Sequence, residues 1–221
     1  MASMFARSVG INLRNATEKA RWKNLSPLTS QPSRYPSLAV TKGLGIQQCW
    51  NTLLQEGGLY HLFNDKRPSY KVLIVEFLST LELIYSEQEE ELEAIIFRLN
   101  NNEFSLTPVE FNGIFKVCGD EDGAIWQEPE EFDRDQFWQA IALQEDPSIR
   151  FNPSRAKISE IRNPILRYMH KVLLYLLFAH TEAGSVQTEE LFVLWGLLRG
   201  VRINIGQLMI EFLERMSKKK S

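Results

Sequence analysis

The feature that most constrains the fold of this chain is NPILRYMHKVLLYLLFAH, residues 163–180, the longest apolar patch in its 221 residues. A membrane-crossing helix needs roughly 18–20 apolar residues in a row with few charges. Here the unbroken run covers only 172–179, and Arg167, His170 and Lys171 interrupt the turns before it. Ile165, Leu166, Met169, Val172, Leu173, Leu176 and Leu177 recur at steps of three and four, the spacing of one buried helical stripe, while Leu174 and Phe178 make a second face apolar too. The stretch therefore predicts a central core helix, with Pro164 in a first turn that has no use for its missing N–H.

Around such a helix the chain can build one substantial core. Hydrophobic residues make up 44% of the sequence and charged residues 24%, which suits a folded protein and excludes a disordered or fibrous one. The reading is mainly α: a single helical domain over 33–217 with a small β-hairpin, a flexible basic arm over 1–32, and a short basic tail over 218–221. The arm is acid-poor until Glu18 and carries Arg7, Arg14 and Arg21 among apolar residues, a composition shared with organelle transit peptides; a flexible lead-in is the preferred reading. Residues 24–37, NLSPLTSQPSRYPS, read as a linker.

Helix starts recur through the domain. Thr107-Pro108-Val109-Glu110 is a capping box with proline at the first helical position, and its helix is expected to reach Gly119. Asp133 with Gln136, Thr188 before EELFVLWGLLR, and Asn204 with Gln207 open three more, Gly200 closing the second of these. Upstream, 45–63 predicts a helix stopped by Gly57-Gly58. SYKVLIVEFLSTLELIY predicts another reaching Tyr85, with Leu73, Ile74, Phe77, Leu78, Leu81 and Ile84 inward and Glu76 and Ser79 off that face. The strand formers Ile95, Ile96 and Phe97, the turn residues NNN, and EFSL predict the hairpin near 95–106. The expected core is Trp50, Leu54, Phe77, Leu78, Leu81, Phe97, Phe111, Phe115, Trp138, Leu173, Leu177, Leu191, Trp195 and Phe212.

Motifs for chemistry fail one by one. CGDEDG, residues 118–123, would put Cys118 at position one and Pro129 at position twelve of a calcium loop, so Asp120, Glu121 and Asp122 read as a solvated turn. Gly43 and Gly45 are followed by Gln48 where a phosphate-binding fingerprint needs glycine. His61, His170 and His180 never fall at i, i+4, and the last two lie roughly 15 Å apart along a helix, too far for one metal. No G-x-S-x-G elbow occurs, and Cys49 and Cys118 have neither C-x-x-C spacing nor a nucleophile signature. The sequence thus predicts no enzyme, no cofactor and no metal site.

Charge is distributed unevenly beneath a net −3. Residues 1–42 hold seven Lys/Arg against one acid, residues 86–135 three against fifteen, and residues 150–171 six against one. The last of these, RFNPSRAKISEIRNPILRYMHK, sets Arg150, Arg155, Lys157, Arg162, Arg167 and Lys171 among Phe151 and Tyr168, a mixture able to hold phosphates and stack bases. The competing reading is a helix-start segment that complements the acidic middle of the chain. Lys218, Lys219 and Lys220 read as a solvated end.

Read in order, EFLSTL at 76–81, FRLNN at 97–101 and NPILRY at 163–168 resemble plant retrotransposon proteins of the Athila type, gypsy-class elements, the likeness running over about 33–200. The resemblance implies a Gag-like product of a long-terminal-repeat element, without catalytic residues to carry over. The chain lacks zinc-knuckle cysteines, a D-T-G protease motif and a polymerase segment. The expected role is non-enzymatic, in assembly or nucleic-acid handling, with RNA or single-stranded DNA and other copies of the chain as partners, no membrane, no small-molecule substrate, and an intracellular location in cytoplasm or nucleus. The alternatives are a host-retained protein-interaction adaptor and a cryptic enzyme assembled from distant residues.

Overall fold

The computed structural model describes residues 10–29, 33–86, 91–119, 123–142, 146, 148, 150–178 and 184–219. The expected mainly helical architecture with a small antiparallel sheet is what it contains. The chain divides into two compact units: the first draws on Met1–Pro32, Arg67–Phe115 and Gly206–Ser221, the second on Ser33–Lys66 and Lys116–Ile205. Each unit is assembled from separated stretches, so no shift in composition along the chain marks the division.

The first unit holds α1 (Ala16–Leu25), α5 (Lys71–Thr80), strands β1 (Glu82–Tyr85), β2 (Leu92–Leu99) and β3 (Asn102–Leu106), α6 (Pro108–Phe115) and most of α10 (Ile205–Ser217). Helix α5 ends five residues before the expected Tyr85. The Thr80 hydroxyl donates to the Glu76 carbonyl at 2.9 Å and accepts the Arg98 N–H at 2.9 Å, Leu81 turns extended, and ELIY joins the hairpin as β1. The sheet is antiparallel in the order β1-β2-β3. Its β2–β3 turn is Asn100-Asn101, both left-handed at φ 51° and 65°, a conformation asparagine tolerates and a two-residue hairpin requires.

The arm expected to be flexible needs correction over its described part. Helix α1 buries Trp22 and Leu25, and with Ile11 and Leu13 they form one core with Val75 and Leu78 of α5. Three- and four-residue apolar spacing is reduced here to that single pair within a polar helix, which is why periodicity does not reveal it. The inward face of α5 also differs from expectation, because Glu76 and Ser79 are buried and Ile74 is exposed. Phe115, expected in the core, is 37% exposed, since α6 ends there, before Lys116 at φ 53°, rather than running to Gly119.

The second unit holds α2 (Leu38–Gly43), α3 (Gln47–Glu56), α4 (Tyr60–Asn64), α7 (Arg134–Ile141), a 3-10 turn (Ile158–Glu160), α8 (Pro164–Leu176) and α9 (Thr188–Arg199). Helix α8 lies within the apolar stretch 163–180. Asn163 Oδ1 accepts the N–H groups of Ile165 and Leu166, Pro164 takes the first turn, and Leu166, Met169, Val172, Leu173 and Leu174 are buried. Helix α9 packs against α8, α7 and α3, is buried from Glu190 to Leu197, and ends on left-handed Gly200. Its N-cap is Gln187, one residue before the expected Thr188, because Glu190 reaches back to the Gln187 N–H at 2.8 Å. Among the described residues no helix is long and apolar enough to cross a membrane.

Candidate nucleic-acid interface

Residues 150–171 run from an ion pair, through a turn and the 3-10 element, into α8. Buried Ala156, Ile158 and Ile161 alternate with exposed Arg155, Lys157 and Arg162, so aliphatic side chains pin a backbone whose cations point outward. Backbone bonds fix both ends of that stretch: Val186 N–H to the Ala156 carbonyl at 2.9 Å, and Arg162 N–H to the Ile141 carbonyl at 2.7 Å. Lys171 is exposed on α8, a full turn past half-buried Arg167.

The six cations nominated from the sequence therefore have different fates. Arg155, Lys157, Arg162 and Lys171 present exposed side chains. Arg150, also exposed, donates from Nη1 to Asp135 Oδ2 at 2.8 Å, while the Phe151 N–H reaches Asp135 Oδ1 at 2.6 Å. The Arg150 hydrogen bond, followed by that of Phe151, holds the Asp135 carboxyl below the usual carboxylate range. Arg167 is turned to an internal task, its Nε and Nη2 both donating to the Ile161 carbonyl at 3.0 and 2.7 Å.

The aromatic part of the expectation needs correction. Phe151 packs on Trp138 with ring centroids 5.5 Å apart, and Tyr168 on Trp50 at 5.2 Å, its hydroxyl accepting the Ser37 N–H. Both rings are half-buried and occupied, because an aromatic beside a core helix gains more from burial than from waiting for a base. What remains on the surface of this segment suits phosphate rather than base stacking.

Two arrangements escaped the sequence. His170 and Glu190, from α8 and α9, meet at 2.8 Å through Nε2 and Oε2 with side chains 0% and 1% exposed. Sealed from solvent, the pair joins two helices rather than facing a substrate. Its one signal was Glu190 at the third position of a capped helix, which sequence reading assigned to Thr188. In the first unit Glu18 Oε2 accepts Arg98 Nη2 at 2.5 Å, both buried, and also the Arg14 N–H. Glu76 accepts the N–H groups of Asn100 and Asn101 at 2.7 and 2.8 Å.

His61 is exposed beside Tyr60. His180, Asp120, Glu121, Asp122 and Lys220 lie outside the described residues, and Lys218 pairs with Glu214 one helical turn back.

No curated protein and no solved structure matches the chain. The family model described as the ATHILA ORF-1 family matches residues 12–201, beginning within the segment that precedes α1 rather than at the expected residue 33. That match takes in α1, the hairpin, the basic segment and most of both units, and the chain belongs to the ATHILA ORF-1 family, as an Athila-type retrotransposon first-open-reading-frame protein.

Proposed function

We propose that this protein is a non-enzymatic, Gag-like component of its element that holds RNA or single-stranded DNA by the phosphates, through Arg155, Lys157, Arg162 and Lys171. The observation that carries the reading is the alternation of exposed cations with buried aliphatic anchors over 155–162. A backbone fixed by those anchors has little freedom left to lose when its cations meet a phosphate, and each such meeting releases condensed counterions. With Phe151 and Tyr168 committed to Trp138 and Trp50, the surface reads charge and not base identity.

The test is fluorescence anisotropy with unstructured RNA and single-stranded DNA over a salt series. Wild type should bind with little base preference and weaken steeply as salt rises. The triple variant R155Q/K157Q/R162Q should bind less tightly and flatten the slope of log K against log salt by roughly 0.7 for each phosphate no longer neutralised. The Arg150–Asp135 ion pair favours a second reading, in which these cations complement acidic protein surface. Unchanged binding by the triple variant together with earlier unfolding would select that reading and remove the nucleic-acid one.

A further inference from the structure

The two edges of the first unit's sheet are not alike. Strand β1 is four residues long and its register slips between Ile84 and Tyr85, features that discourage pairing with another chain. Strand β3 pairs with β2 through five consecutive residues without a slip, carries neither proline nor lysine, and is exposed from Asn102 to Ser105.

Which groups face outward from β3 follows from the turn. In a two-residue hairpin the flanking residues, here Leu99 and Asn102, form a hydrogen-bonded pair, and the pairs alternate from there. Arg98 and Glu103 are then a non-hydrogen-bonded pair, and independent support comes from the Arg98 N–H, which points away from β3 to Thr80 Oγ1. Glu103 and Ser105 consequently direct their N–H and C=O groups to the open edge. No backbone hydrogen bond joins either to a described segment outside the sheet.

We propose that this edge docks a second copy of the chain, β3 antiparallel to β3, about a two-fold axis between the two Phe104 side chains. In that register Glu103 forms a hydrogen-bonded pair with the partner's Ser105, and symmetry repeats it, giving four backbone hydrogen bonds. Phe104, 42% exposed, meets the partner's Phe104 across the closer, non-hydrogen-bonded pair, where aromatic side chains attract. The neighbouring registers that use the same outward groups are worse. One sets Glu103 against the partner's Glu103, and the other calls on Thr107, whose N–H is already given to Glu110 at 2.8 Å. One register only thus pairs the outward backbone groups of the strand without setting like side chains of one charge opposite each other. It is independent of the nucleic-acid reading, whose residues lie in the other unit.

Strand pairing alone covers less than the about 1,200 Å² typical of stable specific interfaces, so the dimer should be weak and dependent on concentration. Light scattering on the full chain should show it forming as concentration rises and surviving high salt. Ser105→Pro removes an outward N–H while leaving the ladder to β2 intact, and should weaken the dimer by about tenfold or more with an unchanged thermal midpoint. Phe104→Cys should cross-link to itself under mild oxidation, located by peptide mass, whereas Ser105→Cys should not, since Ser105 faces the partner's Glu103. A wild type that stays monomeric, a dimer indifferent to Ser105→Pro in a folded variant, a self-link at position 105 in preference to 104, or association abolished by salt would each overturn the proposal.

Discussion

Arg98 in the first unit and Arg155 in the second are both single cations in ordinary local sequence, yet one is 3% exposed and bound to Glu18 while the other stands in solvent. The difference lies in what surrounds them. Arg98 sits on the central strand of a sheet covered by α5, where an unpaired charge could not persist, so Glu18 from α1 and Thr80 and Glu76 from α5 arrive to satisfy the hairpin. Arg155 sits where only the aliphatic neighbours are buried. Charge counted along a sequence therefore does not separate buried, paired cations from solvated ones; burial and partners do.

The largest expected effect comes from breaking the buried side of this comparison. Arg98→Ala leaves the Glu18 carboxylate buried without its cation and should cost about 3–5 kcal/mol in denaturant unfolding. The double variant E18L/R98M, which removes both charges, should recover a large part of that loss. If the single variant were as stable as wild type, the pair would be no more committed than the surface cations.

A smaller effect should follow at Glu76. Glu76→Gln keeps the shape but leaves one acceptor oxygen for two N–H groups, so one of Asn100 and Asn101 loses its partner, at about 1–3 kcal/mol. Hydrogen exchange at those two amides is the direct reading, and one of them should exchange faster in the variant than in the wild type. Equal protection would mean that the left-handed asparagines hold the turn unaided.

These two carboxylates also show where sequence reasoning stopped. The cap at Thr107, with Glu110 held low by the Thr107 N–H and hydroxyl, and that at Asp133 were visible because a cap is a local pattern of four residues. The stripe on α8 was visible for the same reason. Glu76, Glu18 and Arg98 were not, because their partners are 24, 80 and 80 residues away and a charge on a helix reads as its solvent face until the tertiary neighbour is known. The strand ELIY was lost to the preceding helix because Leu81 and Ile84 continue its apolar period. The end of the helix depends on Thr80 reaching Arg98. At the candidate interface the cations were nominated from composition alone; the alternating burial that singles out Arg155, Lys157 and Arg162, and the internal tasks of Arg150 and Arg167, required the fold.

The smallest effect sharpens the exposed side of the comparison, at Asp135. Its carboxyl is held low by the Arg150 guanidinium and then by the Phe151 N–H, so its folded pKa lies below its unfolded value. A carboxylate depressed in this way contributes stability that is present above the unfolded pKa and fades as pH falls through the folded one. Because the pair is solvated, that contribution should be too small to resolve in the unfolding midpoint, and the sensitive measurement is a carbon-detected NMR titration of Asp135. Arg150→Gln should raise the Asp135 pKa toward the ordinary range. Asp135→Asn releases Arg150 and removes a negative charge beside it, so if phosphate binding occurs along 150–171, single-stranded RNA should bind modestly tighter and its salt dependence should steepen. A weaker or unchanged affinity would place Arg150 with the internal cations, alongside Arg167, and confine the surface to Arg155, Lys157, Arg162 and Lys171.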